Sequence, residues 1–303
     1  MTSACVTRRA RPALGTFVEI AATGASPFDR DRAIAAGFAA VARVHALMSF
    51  HEGDSDLSRL NRAPAGCDVA VDPWTWHVLA AAHELHQVSG GVFDVAIAPA
   101  LQAAGLLPAI DGRCGEETAS ADRDPAFALP APGRVRIMRR GAALDLGGIA
   151  KGFAVDRAVD AMKCHGVAAG VVNAGGDLAV FGAAPQTIHL RDPRDPARIM
   201  ASVEVADEAV ASSGGRIDLF GAATVTASAI VDPARRALLS AGCGATVRAP
   251  SCMMADALTK VVMIAGERAA PVLRRYGAAA LLLTGEGELR ATVDWPERLR
   301  RAS

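Results

Sequence analysis

The sequence predicts an α+β fold, in which strands and helices follow one another in irregular order. This order differs from the regular alternation of strand and helix that builds a doubly wound parallel sheet. Hydrophobic residues make up 51% of the 303 residues and charged residues only 21%, so the chain can form a sizeable core and is not wholly disordered. No internal repeat of fixed period and no clear linker divides the sequence.

Composition restricts the function as well. Lys plus Arg and Asp plus Glu number 32 each, so there is no bulk positive charge of the kind that indicates nucleic-acid binding. No window approaches the roughly 20 apolar residues of a membrane span, and no apolar run follows the N-terminal arginines as in a signal peptide, so we expect a cytoplasmic protein. Six scattered cysteines without a CxxC pair favour free thiols over a disulfide framework.

The first half of the chain predicts one strand and three helical segments. They are a strand over 16–22, a helix over 29–48, a short helical turn within 54–61 and a helix over 73–88. Asp72 and Pro73 are a typical N-cap and first residue of that last helix. Residues 1–12 are expected to be a flexible N terminus, and the polar, Ala- and Pro-rich residues 111–133 a surface loop.

Three histidines, His77, His83 and His86, lie on the helix over 73–88. His83 and His86 are three residues apart and could share a metal ion. No Cys, Asp or third His stands at ligand spacing, so a polar helix face is the preferred interpretation.

Residues 143–182 carry the most informative local pattern. A short strand containing Leu144 and Leu146 ends at two glycines, a helix with Lys151 in its first turn follows, and a strand over 167–173 leads into the turn Ala174–Asp177. Glycines, helix N-terminal amides and a lysine together suit an anionic ligand. The alternative is that the glycines only make turns and Lys151 only faces water.

The remaining chain predicts mainly strands, then two helices, a hairpin and a basic tail. The strands are expected near 134–138, 187–190, 200–206, 208–214, 224–233 and 244–250, the helices over 253–265 and 268–276, the hairpin within 279–293 and the tail over 296–303. Gly266 is expected to end the first of these helices.

Six segments, in order and with matching spacing, resemble the signature motifs of the ApbE family, the FAD:protein FMN transferases. The resemblance extends from Leu14 to Gly266. The segments are MSFHEGDSDLSRLN, GGVFDVAIAPAL, LDLGGIAKGFAVD, VVNAGGDLAVFG, VASSGG and APSCMMADALTK, which are similar to the family patterns MSTYxxxSELSRFN, GxFDPTVGPL, IDLSxIAKGYAVD, VEIGGELRxxG, VATSGD and APDCMTADALST.

This resemblance implies one bilobal domain over residues 1–303 with an FAD cleft between the lobes. It implies an enzyme that splits the FAD diphosphate and leaves FMN on a Thr or Ser hydroxyl of a partner protein, with release of AMP. Mg²⁺ would be held by Asp256, by the carbonyl of Gly148 and by the residue at position 260. Neutralising the diphosphate charge is what allows an oxygen nucleophile to reach phosphorus. A homodimer is left open.

The resemblance also implies the site residues. The catalytic candidates are Asp256, Lys260, Lys151 and Asp232. The candidate FAD-binding residues are Met48, Ser49, His51, Arg59, Asn61, Asp94, Gly148, Lys151, Asn173, Gly175, Gly176, Asp177 and Ser213.

Three positions depart from the family pattern. Lys260 replaces the metal-binding Thr, and an ammonium is not a metal ligand. Either the Lys260 ammonium takes the place of the cation, or Lys260 turns to solvent and the ion keeps Asp256 and water. Ala229 stands where the family's HxxDP motif has its His, so the acid–base contribution of that His is absent. His51 replaces a Tyr that offers a better stacking surface.

These departures keep three functions open. The leading expectation is the FMN transferase. The alternatives are an FAD-binding carrier that has lost the chemistry, which Ala229 and Lys260 favour, and an FAD pyrophosphatase that uses water as the acceptor.

Overall fold

The structure is a computed structural model that describes residues 6–110, 125–182, 184–214, 227–240, 242–292, 294–295 and 300–301. The chain divides into two compact units. The first comprises residues 1–43, 151–228 and 240–303, and the second comprises residues 44–150 and 229–239.

The described residues contain seven α-helices. They are α1 (Pro27–Met48), α2 (Asp56–Arg62), α3 (Pro73–Val88), α4 (Ala98–Ala103), α5 (Ala150–Cys164), α6 (Cys252–Ala265) and α7 (Ala270–Arg275), and a 3₁₀ turn (Gly266–Ala269) joins the last two. Their ends follow the capping signals of the sequence. The Asp72 carboxylate accepts from the Trp74 amide at the start of α3, and Gly266, with φ of 59°, ends α6.

Sixteen strands lie in the described residues. They are β1 (Thr7–Ala13), β2 (Thr16–Thr23), β3 (Asp68–Ala70), β4 (Phe127–Ala131), β5 (Arg134–Ile137), β6 (Ala169–Ala174), β7 (Asp177–Phe181), β8 (Gln186–Asp192), β9 (Asp195–Val205), β10 (Glu208–Gly214), β11 (Ala227–Asp232), β12 (Ala237–Ser240), β13 (Gly244–Ala249), β14 (Ala279–Leu283), β15 (Leu289–Ala291) and β16 (Arg300–Arg301).

The first unit is built on an eight-stranded antiparallel sheet with the order β1-β2-β6-β7-β10-β13-β14-β15. Helix α6 packs on β10 and β13, and it buries Leu258, Val261 and Val262. A second sheet, β16-β9-β8, shares an apolar core with the large sheet in which Val203, Leu281 and Trp295 are buried. This packing fixes the position of α6, and α6 carries the charged residues described below.

The second unit contains α2 to α4, the small sheet β3-β5-β4 and the hairpin β11-β12. Its extended segment before α5 is held from two sides. The Asn61 side chain donates to the Leu144 carbonyl and accepts from the Leu144 amide, both at 2.8 Å, and the Asp145 amide donates to the Val95 carbonyl at 2.7 Å.

Most predicted elements are confirmed, including the helices over 29–48, 73–88 and 253–265, the last of which begins one residue earlier, at Cys252. The four cysteines in the described residues are unpaired. No helix of the described chain is long and apolar enough to cross a membrane.

Several predictions were wrong in parts. Residues 7–12, expected to be flexible, pair with β2 as strand β1, and Arg300–Arg301 of the expected tail pair with β9. Residues 127–131 of the expected loop form β4, whereas residues 111–124 lie outside the described chain. Leu144 and Leu146 are not in a strand. The Leu144 backbone bonds to the Asn61 side chain, and the Leu146 carbonyl accepts from the amides of Ile149 and Ala150, so neither residue joins a ladder.

Candidate functional site

The start of α5 touches the start of α6 at Gly152. A Cβ atom at this position would lie 2.2 Å from the Cys252 carbonyl oxygen and 2.8 Å from the Asp256 Cβ. Because position 152 has no side chain, its amide reaches the Asp256 carboxylate and donates to Oδ2 at 3.1 Å. The IAKG segment is therefore joined to the ADALTK helix through a backbone contact.

Asp156, one turn further along α5, anchors the same helix pair. Its carboxylate accepts from the amides of Cys252 and Met253, at 2.8 and 2.9 Å, while Ser251 caps the amide of Met254. These bonds satisfy amides that the first turn of a helix leaves without partners. Burial raises the pKa of Asp156 to about 6 against the two amide hydrogen bonds, which lower it.

Four charged side chains meet beside this contact, and we refer to Lys151, Asp177, Asp256 and Lys260 as the charge cluster. Lys151 Nζ is hydrogen-bonded to Asp177 Oδ2 and lies 3.8 Å from Asp256 Oδ1. Lys260 Nζ is hydrogen-bonded to the same Asp256 Oδ1 and, at 2.9 Å, to the Asp256 carbonyl. Both ammonium groups thus share one carboxylate oxygen.

The cluster is electrically balanced but not evenly buried. The side chains of Asp177 and Asp256 are 1% and 0% exposed, whereas those of Lys151 and Lys260 are 33% and 15% exposed. Solvent and solutes therefore reach the positive groups and not the negative ones. An anion that approaches the cluster meets ammonium groups first.

Neighbouring charges keep Lys151 protonated and Asp256 ionised. Burial alone would lower the pKa of Lys151, but the charges of Asp256 and Asp177 outweigh it and raise that pKa, so the ammonium stays charged at neutral pH. Burial is likewise outweighed at Asp256, whose pKa is lowered by Lys151 and Lys260. Burial and the charge of Asp256 raise the pKa of Asp177, whose Oδ1 is buried and has no hydrogen-bond partner among the described residues.

A hydroxyl pair lies next to the cluster. The Thr259 hydroxyl donates to the Asp256 carbonyl at 2.7 Å, so the Ser213 hydroxyl, also 2.7 Å away, donates to Thr259. Ser213 lies near the end of β10, and this bond ties that strand end to α6.

The turn between β6 and β7 places Asp177 in the cluster. Gly175 and Gly176 have φ of 68° and 102°, which glycine adopts without strain, and the Asn173 side chain accepts from the Gly176 amide at 2.9 Å. Asn173, Gly175 and Gly176 therefore build the turn, and Asp177 is the one residue of the predicted set here that faces a charged partner.

Comparison with known proteins identifies the chain. The ApbE family matches residues 14–282, nearly the whole sequence. This chain belongs to the ApbE family. It is 28% identical over 239 residues to the FAD:protein FMN transferase of Vibrio cholerae, which covers 74% of this chain and 70% of that protein. It is 27% identical over 282 residues to the FAD:protein FMN transferase of Treponema pallidum, which covers 84% of this chain and 77% of the relative.

Solved structures of the ApbE family share the fold. The flavin transferase ApbE of Vibrio cholerae matches with a TM-score of 0.79 and 24% identity, over 97% of this chain and 99% of that chain. The ApbE protein of Thermotoga maritima matches with a TM-score of 0.80 and 24% identity, over 95% and 97% of the two chains. The predicted α+β class is confirmed.

The other predicted FAD-binding residues lie in the second unit, where several of them serve the local structure. Arg59 is hydrogen-bonded to Asp56 and donates to the Ala70 carbonyl at 3.0 Å, and Asn61 holds the backbone at Leu144. The Ser49 hydroxyl accepts from the His51 amide, and its carbonyl accepts from the Ser55 hydroxyl.

The structure also places the remaining members of this set. Met48 is buried in the core, and the ring of His51 stands edge-on to that of Phe50 at 6.4 Å. Asp94 accepts from the Ala96 amide at 2.8 Å and lies 4.0 Å from His86 Nδ1.

Asp232 and Gly148 belong to the second unit as well. The Asp232 carboxylate accepts from the amides of Ala234 and Arg235, at 3.0 and 3.3 Å, in the turn after β11. These bonds show that Asp232 stabilises the turn, and its predicted catalytic role stays a prediction. Gly148 lies in the turn just before α5.

The oxygens of the charge cluster do not fit a Mg²⁺ ion. Mg²⁺ requires a near-octahedral set of oxygen ligands at about 2.0–2.1 Å. Asp256 Oδ1 and its carbonyl are bonded to Lys260, Oδ2 accepts from Gly152, and Asp177 Oδ2 is bonded to Lys151. Only Asp177 Oδ1 is left, and in the described residues no three His, Cys, Asp or Glu side chains gather as ligands.

Sequence reasoning missed Gly152, Asp156 and Thr259. Gly152 and Asp156 lie four residues apart in KGFAVD, a spacing that places them on the same face of a helix, and this could have indicated that the face meets another element. Nothing local in the sequence marks Asp156 as the anchor of a helix about 100 residues away.

Proposed function

We propose that this chain is an FAD:protein FMN transferase that moves FMN from FAD to a Thr or Ser hydroxyl of an acceptor protein and releases AMP. The observation that carries the proposal is the charge cluster, which lies on the segments IAKG, AGGD and ADALTK within the part of the chain that matches the ApbE family and presents two ammonium groups to solutes. Curated relatives of this chain are named for the same activity.

In the proposed reaction, the acceptor oxygen bonds to the phosphorus of the FMN half of FAD. The bond from that phosphorus to the bridging oxygen breaks, AMP leaves with the electron pair, and the hydroxyl proton passes to water. We propose that the positive charges of Lys151 and Lys260, which meet at Asp256, stabilise the diphosphate and the departing phosphate. The buried carboxylates of Asp256 and Asp177 orient the two ammonium groups through their hydrogen bonds.

Among the predicted residues, we propose Lys151, Lys260, Asp177, Asp256 and Ser213 as the site in the first unit. Met48, Ser49, His51, Arg59, Asn61, Asp94, Gly148, Asn173, Gly175 and Gly176 are proposed to serve FAD binding indirectly, by stabilising the folded backbone. Mg²⁺ held by Asp256 and Gly148 is not part of this proposal, because Lys260 is bonded to the Asp256 oxygens that the ion would need. The cytoplasmic location, the homodimer and the action of residues 1–303 as one domain stay predictions of the sequence.

The test is incubation of the full chain with FAD and an acceptor protein that carries the target hydroxyl. Covalent flavin on the acceptor, seen by in-gel fluorescence and mass spectrometry together with equimolar AMP, is the expected result. The acceptor with Ala at the target position is the control and should stay unlabelled. Free FMN and AMP without labelling would instead indicate a pyrophosphatase, and unchanged bound FAD would indicate a carrier.

A further inference from the structure

The chain contains few lysines, and most of them lie in the charge cluster. Only three of the 32 basic residues are lysines, namely Lys151, Lys163 and Lys260, and the others are arginines. Two of these three meet at a single oxygen, Asp256 Oδ1. A lysine ammonium is a compact point charge, whereas an arginine guanidinium is a broad planar fork. The cluster thus concentrates the type of charge that most resembles a metal ion.

Lys260 occupies the space beside Asp256 that a cation would need. Its side chain runs back along α6, and Nζ binds both the Asp256 carboxylate and the Asp256 carbonyl. Its side chain is only 15% exposed, so the ammonium is a built-in part of the site rather than a solvent-facing group. A divalent ion bound to Asp256 Oδ1 would have to displace it at short range, against strong repulsion.

The charge balance leads to the same conclusion. Two ammonium groups and two carboxylates already sum to zero, with the carboxylates buried beneath. In addition, Asp256 Oδ2 is held by the Gly152 amide. We propose that Lys151 and Lys260 replace the divalent cation of the ApbE family, so that this chain binds the diphosphate of FAD without a metal ion. The inference rests on the proposed function, because FAD is the ligand.

Two readouts test it on the full chain. The first is direct binding of Mn²⁺, a paramagnetic probe for Mg²⁺ sites, measured by electron paramagnetic resonance without FAD. We expect no Asp256-dependent Mn²⁺ site in the wild type or in Lys163→Thr, the control at the exposed lysine of α5, which lies over the Phe181 ring. We expect one site in Lys260→Thr, where a hydroxyl replaces the ammonium. A wild-type Mn²⁺ site that is lost in Asp256→Asn would overturn the proposal.

The second readout is FAD affinity, measured by quenching of flavin fluorescence in EDTA and in Mg²⁺. Wild-type affinity should agree within about twofold between the two buffers. Lys260→Thr should lose at least tenfold in EDTA and regain it in Mg²⁺, and Lys260→Met should lose it in both. A tenfold loss of wild-type affinity in EDTA would overturn the metal-free site alone. No wild-type binding of FAD in either buffer would overturn the proposed function and this inference together.

Discussion

Two polar regions of this chain carry family motifs, and their side chains are used in opposite ways. In the segment from Ser49 to Arg62, polar groups mostly bind backbone, as Asn61 does at Leu144 and Asp56 does at the amide of Asp72. In the charge cluster, by contrast, Lys151 and Lys260 bind carboxylates and remain partly open to solvent.

The difference shows what a shared motif does and does not tell. A motif match identifies residues that resemble a family pattern. It does not tell whether such a residue binds the backbone of its own chain or contacts a ligand. The partner of each side chain separates the two roles. Asn61 satisfies a buried amide and carbonyl that would otherwise be costly to leave unpaired, whereas Lys151 and Lys260 place charge at a surface.

The largest effect is expected from Gly152→Ala. The new Cβ would lie 2.2 Å from the Cys252 carbonyl oxygen, and because that atom is backbone, α5 and α6 would have to move apart. Overpacking of this kind typically costs about 1–3 kcal/mol, occasionally more. We expect a lower midpoint in urea unfolding and loss of FAD binding, measured by flavin fluorescence.

Gly53→Ala is the matched control, because nothing lies within 4 Å of a Cβ at that position. Its unfolding midpoint and FAD affinity should equal those of the wild type. Equal behaviour of the two alanine variants would contradict the close contact between α5 and α6.

The substitution Asn61→Ala should lower the stability of the fold and leave the affinity for FAD unchanged. The change leaves the buried amide and carbonyl of Leu144 without partners, at a cost of about 1–3 kcal/mol for each unsatisfied group. Urea unfolding should show this loss, while the folded fraction should bind FAD with an affinity within about twofold of the wild type. A tenfold weaker affinity at unchanged stability would place Asn61 in direct contact with FAD.

Ala229→His should raise the rate of FMN transfer. Acid–base help by a positioned side chain is typically worth about 10²–10⁴-fold, and Ala229 is exposed, so an imidazole can be accommodated. We expect at least a tenfold increase in the rate of acceptor labelling at neutral pH. Ala229→Gln is the control without a titratable ring, and an equal increase in that variant would exclude an acid–base explanation.

The sequence predicted the helices more completely than the strands. α1, α3 and α6 carry apolar periodicity and caps within the segment itself, so local reasoning was sufficient. Strand β1 contains three arginines and a proline and becomes a strand only by pairing with β2, so no local signal marks it. The same limit applies to the site, since the motif that contains Lys151 also contains Asp156, but nothing in it indicates that the Asp156 carboxylate binds the first amides of α6.

The smallest predicted effect concerns that carboxylate. Because burial raises the pKa of Asp156 from 3.8 to about 6, the folded chain binds more protons than the unfolded chain between these values. The stability contributed by Asp156 is therefore full below about pH 4 and is lost as the pH rises through 6. Comparison with Asp156→Asn, which cannot titrate, should show the wild-type advantage shrinking by about 1 kcal/mol from pH 5 to 7.5 in urea unfolding. A constant difference between the two proteins would mean that the amides of Cys252 and Met253 keep Asp156 ionised throughout, so that the helix N terminus, rather than burial, sets its charge.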